Sequence, residues 1–291
     1  MTNADSRYIY TPSKNRSSYF LLFLLVLLLI SAGCSSLFFY PEKQPYDNPF
    51  VRAYAPQDIY FKTSDGLTLH GWFFKAHDAA GTILVLHGNA ENISTHVNGV
   101  LWLVQTGFNV FIIDYRGYGQ SEGEPTAAGA NSDAEAALET LIAMPSVDKD
   151  RIIVFGQSIG GTFAINLAAN SPYRAHLRAV IVDSAFASYS QIAREKMNSL
   201  WLTWPFQYPL SWMFSDRFSP IKSIARVSPI PVLIIHGMND PVVPVHHGQE
   251  LFDAAREPKA LWLTMNNGHI RSTHEAEVRR LLKAYLLSKL K

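Results

Sequence analysis

A serine stands in a context typical of an enzymatic nucleophile. Ser158 is the centre of the sequence GQSIG (156–160), directly after the apolar run IIVF and before a segment that we predict to be helical. A sharp turn from strand to helix would lift the serine hydroxyl out of a sheet, and the flanking glycines remove side chains that would collide there. We therefore predict that Ser158 is a nucleophile. The alternative role for this serine is to cap the following helix.

A serine hydroxyl needs a base that takes its proton and an acid that orients the base. Asp240 follows the apolar run VLII, so it would stand at the carboxyl end of a strand, where the site of an open α/β sheet forms. Asp183 also ends a predicted strand and is the competing acid, but the chain order Ser, Asp, His with a late acid favours Asp240. His269 follows the strand-like LWL (261–263) and precedes the last predicted helix, which makes it the favoured base.

The tetrahedral intermediate of such a reaction needs hydrogen-bond donors for its oxyanion. Two backbone N–H groups usually supply them, one from the residue after the nucleophile and one from the loop after an early strand. These criteria select Ile159 and Asn89, which lies in the loop LHGNA (86–90). His87 in the same loop is expected to hold the loop. We expect the histidines His246, His247 and His274 to lie on solvated faces.

The elements that must position these residues alternate along the chain. Asp58–Thr63 and Leu67–Lys75 flank a turn and predict a hairpin, and five short apolar runs predict strands buried on both faces of a parallel sheet. Helices are expected between them, one opened by a capping box at 132–135 and the last opened by another at 272–275. This alternation predicts an α/β fold, with a mostly parallel central sheet and helices on both faces.

The segment at about 185–227 interrupts this alternation. It is rich in aromatic residues and prolines and lies between two predicted strands, so it is expected to form a cap over the carboxyl edge of the sheet. In that position Trp204 and Trp212 would line an acyl pocket. The alternative is an ordinary crossover whose aromatic side chains belong to the core.

The N-terminus has the parts of an export signal. Basic residues precede Tyr19–Ile30, an uninterrupted apolar run of 12 residues, and Ser31-Ala32-Gly33-Cys34 follows. This tetrapeptide resembles the bacterial lipobox, so we predict a lipoprotein signal peptide at 1–33, lipidation of Cys34 and a tether at 34–50. The alternative is an uncleaved signal anchor. Both interpretations place the remaining domain, 51–291, outside the cytoplasm in the cell envelope.

Composition excludes several other classes of protein. The hydrophobic fraction of 48% supports a substantial core and argues against a disordered chain. A formal net charge of +1 without a basic stripe argues against a nucleic-acid partner. Cys34 is the single cysteine, which rules out an internal disulfide framework and a thiolate zinc site.

Five stretches of the sequence together resemble the α/β-hydrolase superfamily. They are similar to a branch of α/β-hydrolase-domain serine hydrolases that includes depalmitoylase-like membrane proteins and bacterial relatives, and the resemblance covers about residues 55–290. It implies Ser158 as nucleophile, Asp240 as acid, His269 as base, and Asn89 with Ile159 as oxyanion donors. It also implies that Asp114 and Arg116 shape the site without reacting. The five stretches are LHGNAEN (86–92), DYRGYGQSEGEP (114–125), GQSIGG (156–161), HGMNDPVVP (236–244) and NGH (267–269).

The sequence therefore predicts an exported, lipid-anchored serine hydrolase that acts on carboxylic esters or thioesters without a metal or cofactor. Its substrate would be a small or lipid-like acyl compound. A peptidase or an acyltransferase with the same triad, or a non-catalytic envelope lipoprotein, are the alternatives. The sequence leaves the oligomeric state open.

Overall fold

The strands form where the chain is apolar in short continuous runs. The structure is a computed structural model that describes residues 38–199, 201–265 and 268–291. The predicted signal peptide at 1–33 and Cys34 lie outside the described residues. The strands are β1 (Gln57–Lys62), β2 (Thr68–Phe74), β3 (Gly81–Leu86), β4 (Phe108–Asp114), β5 (Ile152–Gln157), β6 (Leu177–Asp183), β7 (Val232–Gly237) and β8 (Lys259–Thr264).

Helices connect most of the strands. The α-helices are α1 (Pro49–Tyr54), α2 (Ile93–His96), α3 (Leu101–Gln105), α4 (Ala127–Ala143), α5 (Ile159–Asn170), α6 (Tyr189–Asn198), α7 (Gln207–Ser211), α8 (His246–Ala254) and α9 (Ala276–Lys289). Short 3-10 helices occur at Val97–Gly99, Arg174–His176, Trp204–Phe206, Asp216–Phe218, Pro220–Lys222, Ile224–Arg226 and Ser272–His274.

The described strands form one sheet in the order β1-β2-β4-β3-β5-β6-β7-β8. The hairpin of β1 and β2 pairs antiparallel with β4, and the pairs from β4 to β8 are parallel. Because parallel strands share one carboxyl edge, the segments after β3, β5, β6, β7 and β8 emerge at the same side of the sheet. This confirms the predicted hairpin and the α/β-hydrolase fold.

Successive residues of the central strands point to opposite faces and pack into two cores. In β3, Leu84 lies in a core with Leu138 of α4 and Phe163 of α5, while Val85 lies in a core with Trp102 of α3 and Leu282 of α9. Helices therefore cover both faces, which is why these strands are apolar throughout and show no alternation.

Both predicted capping boxes are wrong. Helix α4 begins at Ala127, where the Thr126 hydroxyl accepts the N–H of Gly129, and Ser132 lies inside the helix with its hydroxyl bonded to the carbonyl of Ala128. Residues 272–274 form a 3-10 turn before α9. In α4 the hydroxyl of Thr126 caps the helix instead of that of Ser132, and before α9 the hydroxyl of Ser272 bonds to Asp183 instead of capping the helix.

The predicted tether is packed against the domain in its described part, 38–50. Phe39 is buried and stacks on Phe163 of α5, with ring centroids 6.4 Å apart. Asn48 caps α1 with its side-chain oxygen, and its amide donates to the carbonyl of Ser94 at 2.7 Å. The prolines and missing periodicity that suggest a tether also fit an irregular segment that gains its order from tertiary contacts.

The predicted cap is inserted between β6 and β7. It contains helices α6 and α7 and four 3-10 helices, and its first turn is fixed by Ser188, whose hydroxyl accepts the N–H of Gln191 at the start of α6. The 3-10 turn at Pro220–Lys222 returns to this beginning, because the N–H of Ile221 donates to the carbonyl of Ala187. None of the helices in the described ranges combines the length and the hydrophobicity that a membrane-spanning segment needs.

Candidate active site

Ser158 occupies the strained turn between β5 and α5. Its backbone dihedrals are φ 53° and ψ −121°, which a non-glycine residue rarely adopts, and its N–H donates to the carbonyl of Asp183 at 2.8 Å. Gly160 makes this turn possible, because a Cβ there would lie 2.1 Å from the carbonyl oxygen of Leu86. The close approach of α5 to β3 thus explains the glycine and brings the Ser158 side chain to the carboxyl edge of the sheet.

Asp240 and His269 are hydrogen-bonded to each other. Asp240 lies three residues beyond β7, and its Oδ2 is 2.8 Å from Nδ1 of His269. Its other oxygen accepts the N–H groups of Val242 and Val243 at 2.8 and 3.0 Å. Burial on its own would raise the pKa of Asp240, but the hydrogen bond and charge of His269 and the two backbone N–H groups hold that pKa below its usual value. An ionised carboxylate fixes the proton of the neutral imidazole on Nδ1, which leaves Nε2 as the acceptor.

Asp183, the competing acid, has other partners. Its side chain is fully buried at the end of β6, and Oδ1 lies 3.0 Å from the hydroxyl of Ser272 and 3.2 Å from that of Ser184. The same Ser184 hydroxyl is 3.4 Å from the N–H of Ile270, the residue after His269. Burial raises the pKa of Asp183 to about 6 against the opposing effect of these hydrogen bonds. Asp183 therefore ties the segment after His269 to the sheet.

The two expected oxyanion donors lie in the same cavity as Ser158. Ile159 is the first residue of α5, where helical N–H groups have no intrahelical acceptor. Asn89 is held by its side-chain oxygen, which accepts the N–H of Tyr40 at 2.9 Å and the hydroxyl of Tyr118 at 3.0 Å. Among the described residues, neither the Asn89 nor the Ile159 N–H has a hydrogen-bond acceptor, so both are available to a ligand.

His87 stabilises the loop that carries Asn89. The ring is fully buried and packs against His96 and Tyr115, while Nδ1 donates to the carbonyl of Gly88 at 2.7 Å. Burial and the neighbouring His96 keep the pKa of His87 well below its usual value, so the ring is neutral. A neutral, enclosed histidine fits the expected structural role.

The loop after β4 is held by two ion pairs of Arg116, of which the pair with Asp133 is buried and the pair with Asp65 is partly exposed. The guanidinium of Arg116 contacts Asp133 of α4 at 2.8 Å and Asp65 of the β1–β2 turn at 2.9 Å. Asp114 accepts the N–H of Ile93 at 3.0 Å and so fixes the start of α2. Neither Asp114 nor Arg116 lines the cavity at Ser158, which agrees with the inference that they shape the site without reacting.

The cavity at Ser158 has a volume of about 670 Å³ and a mostly apolar wall. Cap residues form much of this wall, but Trp204 and Trp212 are not among them: they are 58% and 79% exposed. The prediction that these two rings line the pocket is therefore wrong. The lining residues are Phe38, Tyr40, Asn89, Ser158, Ile159, Phe186, Ile192, Ala193, Lys196, Met197, Thr203, Phe214, Val242 and Val243.

Sequence reasoning missed the contribution of Phe38 and Tyr40, which lie in the predicted tether. The Phe38 ring packs edge-on against Phe214 and Tyr189 of the cap, with centroids 5.1 and 5.2 Å apart. The aromatic run FFY (38–40), unusual for a flexible linker, is the signal that could have identified them.

A cluster of three side chains links the cap to α8. Donor atoms of Glu195, His246 and His247 all lie within 4.8 Å of one another. The N–H of Ala187 donates to Nδ1 of His247, so a neutral ring carries its proton on Nε2, which lies 3.1 Å from Glu195. In this tautomer Nε2 is a hydrogen-bond donor and has no lone pair for a metal. His247 is fully buried, which corrects the expectation of a solvated position.

Comparison with known proteins identifies the class of protein. The profile of the family described as serine aminopeptidase, S33, matches residues 77–217. The chain is 36% identical over 258 residues to the Escherichia coli protein YfhR, with 86% of each chain covered. It is also 34% identical over 231 residues to the alpha/beta hydrolase domain-containing protein WAV2 of Arabidopsis thaliana, covering 73% of this chain and 71% of that protein. The chain belongs to the α/β-hydrolase superfamily and is accordingly a hydrolase-family protein.

Solved structures support the same fold. An esterase of Pyrococcus furiosus superposes with a TM-score of 0.70 at 22% identity, covering 87% of this chain and 97% of the esterase. The esterase domain of a Rhodothermus marinus protein superposes with a TM-score of 0.61 at 19% identity, covering 81% and 99% of the two chains. At such identities the likeness concerns the fold alone.

Proposed function

We propose that this protein is a serine hydrolase that cleaves carboxylic esters or thioesters, with Ser158 as nucleophile, His269 as base and Asp240 as acid. The observation that carries the proposal is the 2.8 Å hydrogen bond between His269 Nδ1 and Asp240 Oδ2 at the sheet edge from which Ser158 emerges. This bond leaves His269 Nε2 as a proton acceptor.

In the proposed reaction, His269 Nε2 takes the proton of the Ser158 hydroxyl as its oxygen attacks the acyl carbon. The N–H groups of Asn89 and Ile159 stabilise the oxyanion of the tetrahedral intermediate. Collapse of this intermediate forms an acyl-serine, and His269 returns the proton to the departing alcohol or thiol. Water then attacks the acyl-enzyme by the same steps and releases the carboxylic acid. Asp240 stabilises the imidazolium that forms in each half-reaction.

The character of the cavity favours acyl esters over peptides. Its described lining is mostly apolar, and the charged residue in that lining is Lys196. An aminopeptidase must bind the positively charged amino terminus of its substrate, and no carboxylate occurs among the described lining residues. An apolar acyl chain, in contrast, gains about 0.8 kcal/mol for each buried methylene group.

We also propose that the protein is exported and anchored to a membrane of the cell envelope through a lipid on Cys34. The support is the sequence alone: an apolar run of 12 residues ends just before Ser31-Ala32-Gly33-Cys34.

The proposal is tested by labelling with a fluorophosphonate probe and by hydrolysis of p-nitrophenyl esters. The wild-type protein should be labelled and should hydrolyse esters, while Ser158→Ala should lose labelling and at least ~10³-fold in kcat/KM. Ser132→Ala, which removes a hydroxyl from the exposed face of α4, is the matched control and should behave as wild type. Labelling of folded Ser158→Ala, or a folded wild-type protein that reacts with neither probe nor esters, would refute the mechanism.

A further inference from the structure

The cap exposes an unusual number of large apolar side chains. Within 201–212, six of them are more than half exposed, and we call this group the cap aromatic surface. Its members and their exposed fractions are Trp201 87%, Leu202 66%, Trp204 58%, Phe206 57%, Tyr208 58% and Trp212 79%. Soluble monomers rarely expose so many large apolar side chains within one short segment, so this surface is expected to have an occupant.

The residue types and charges indicate that the occupant is a lipid surface. Tryptophan and tyrosine are the residues enriched where a membrane meets water, because their rings are apolar and their N–H or O–H is polar. The sequence contains no acidic residue from 199 to 215. Arg194 lies over the ring of Tyr208, 5.7 Å from its centroid, and Lys196 is exposed in the last turn of α6. These two cations would face anionic lipid headgroups.

The acidic side chain of α6, Glu195, contacts two histidines of α8. Glu195 is engaged by His246 and His247, at 3.0 and 3.1 Å, on the side of α6 that faces α8. Its carboxylate is thus engaged by these two histidines, while its basic neighbours in the sequence, Arg194 and Lys196, would face an anionic surface.

The course of the chain also points to the cap. The first described residue, Phe38, packs against Phe214 and Tyr189 of the cap. The apolar run Tyr19–Ile30 lies upstream of it, outside the described residues. An anchor at this run or at Cys34 would therefore be joined in sequence to a residue, Phe38, that packs on the cap.

We propose that the cap aromatic surface docks on the surface of a phospholipid bilayer that contains anionic lipids. Met197 in α6 and Thr203 in the segment 201–212 also line the cavity at Ser158. Docking would accordingly place the cap wall of the cavity next to the lipid. Docking itself does not depend on the proposed hydrolysis, so the two proposals can fail separately.

The first test measures contact between the cap and lipid in the full-length protein. The protein is reconstituted into vesicles of phosphatidylcholine and phosphatidylglycerol, and brominated phosphatidylcholine serves as the quencher of tryptophan emission. Three of the six tryptophans, Trp201, Trp204 and Trp212, belong to the cap. We expect strong quenching of the wild type and near loss of quenching when these three are replaced by Phe. Trp262→Phe, on β8 against Tyr285, is the control and should retain the quenching.

The second test separates the lipid from a protein partner. Trp201→Glu combined with Trp212→Glu changes two highly exposed side chains outside the cavity. This variant should hydrolyse a soluble short-chain ester as wild type does but lose about tenfold or more in rate on an ester presented in vesicles. If the wild-type emission is not quenched, or if quenching survives removal of the three cap tryptophans, lipid docking is wrong. Lipid docking is equally wrong if the glutamate variant keeps its activity on vesicles. If the wild type is then a dimer and this variant is a monomer, the occupant of the surface is a second copy of the chain.

Discussion

The backbone carbonyl of Asp183 accepts a hydrogen bond from the backbone N–H of Ser158 at 2.8 Å. The carboxylate of Asp183 accepts hydrogen bonds from the hydroxyls of Ser184 and Ser272, whereas the carboxylate of Asp240 is hydrogen-bonded to His269. The acid that ends β6 thus supports the turn at Ser158 and the segment after His269, whereas the acid after β7 contacts His269 itself.

This division of roles predicts different effects for two matched substitutions. Asp240→Asn should lower kcat/KM for a soluble ester by ~10³-fold or more, because the imidazole loses its ionised partner and its tautomer. Asp183→Asn retains acceptors for both serine hydroxyls and should stay within about tenfold of wild type. Steady-state kinetics on the folded variants decides the matter, and the reverse ranking would transfer the acid role to Asp183.

The buried carboxyl of Asp183 predicts a pH-dependent stability. Its pKa is raised from 3.8 to about 6, so the folded state holds its proton more tightly than the unfolded state does. The resulting stabilisation is fully present below pH 3.8 and is lost as the pH rises through about 6. Its size is on the order of 3 kcal/mol.

The substitution Asp183→Asn isolates this effect, because it replaces the carboxyl with an amide that is neutral at every pH. The free energy of unfolding of the variant minus that of wild type should increase between pH 4.5 and 7.5, as measured by urea denaturation at several pH values. Other titrating groups cancel in the difference. A difference that stays constant over this range would mean that burial does not perturb the carboxyl.

Gly160 should tolerate no side chain. A Cβ there would lie 2.1 Å from the carbonyl oxygen of Leu86, which is backbone and cannot move aside easily. Gly160→Ala is expected to cost about 1–3 kcal/mol in stability and to abolish ester hydrolysis, since the turn at Ser158 must shift. Gly99→Ala is the control, because its nearest neighbour, Nε2 of Gln157, is 3.7 Å away. Thermal denaturation and kinetics should leave that control near wild type, and an active Gly160→Ala would contradict the packing argument.

Phe214 and Trp212 form a matched pair for acyl-chain selectivity. Phe214 lines the cavity, whereas Trp212 is 79% exposed and lies outside it. Each added methylene should raise kcat/KM of the wild type by about fourfold while the cavity has room, so activity should rise from acetyl to medium-chain esters. Phe214→Ala should flatten this dependence more than it lowers acetyl ester turnover.

For Trp212→Ala, the slope on soluble esters should remain that of wild type. A wild-type profile that peaks at acetyl, or equal slopes in the two variants, would show that Phe214 does not bind the acyl chain.

The N-terminus provides a prediction from sequence alone. Intact-mass spectrometry of the protein from membranes should show the loss of residues 1–33 and the addition of lipid to Cys34. Cys34→Ala should accumulate as the unprocessed chain. A wild-type mass equal to that of the unprocessed chain would favour the signal anchor.

Local sequence determined much of the fold. Short apolar runs predicted the strands of the parallel sheet because a strand buried on both faces must be apolar throughout. The motif around Ser158 predicted the turn between β5 and α5 because that turn needs glycine at position 160 for a steric reason confined to its surroundings. The hairpin at Ser64-Asp65-Gly66 is local in the same sense.

Tertiary contacts decided what no local pattern encodes. Ser272 bonds to Asp183, 89 residues away in the chain, instead of opening α9. Phe38 lines the cavity because its ring packs against Phe214 of the cap, a residue distant in the sequence. Composition made the cap aromatic, but only packing decided which rings face the cavity and which face outward. Hydrogen-bond partners and burial depend on which distant segments are in contact, and the order of the strands in the sheet determines those contacts.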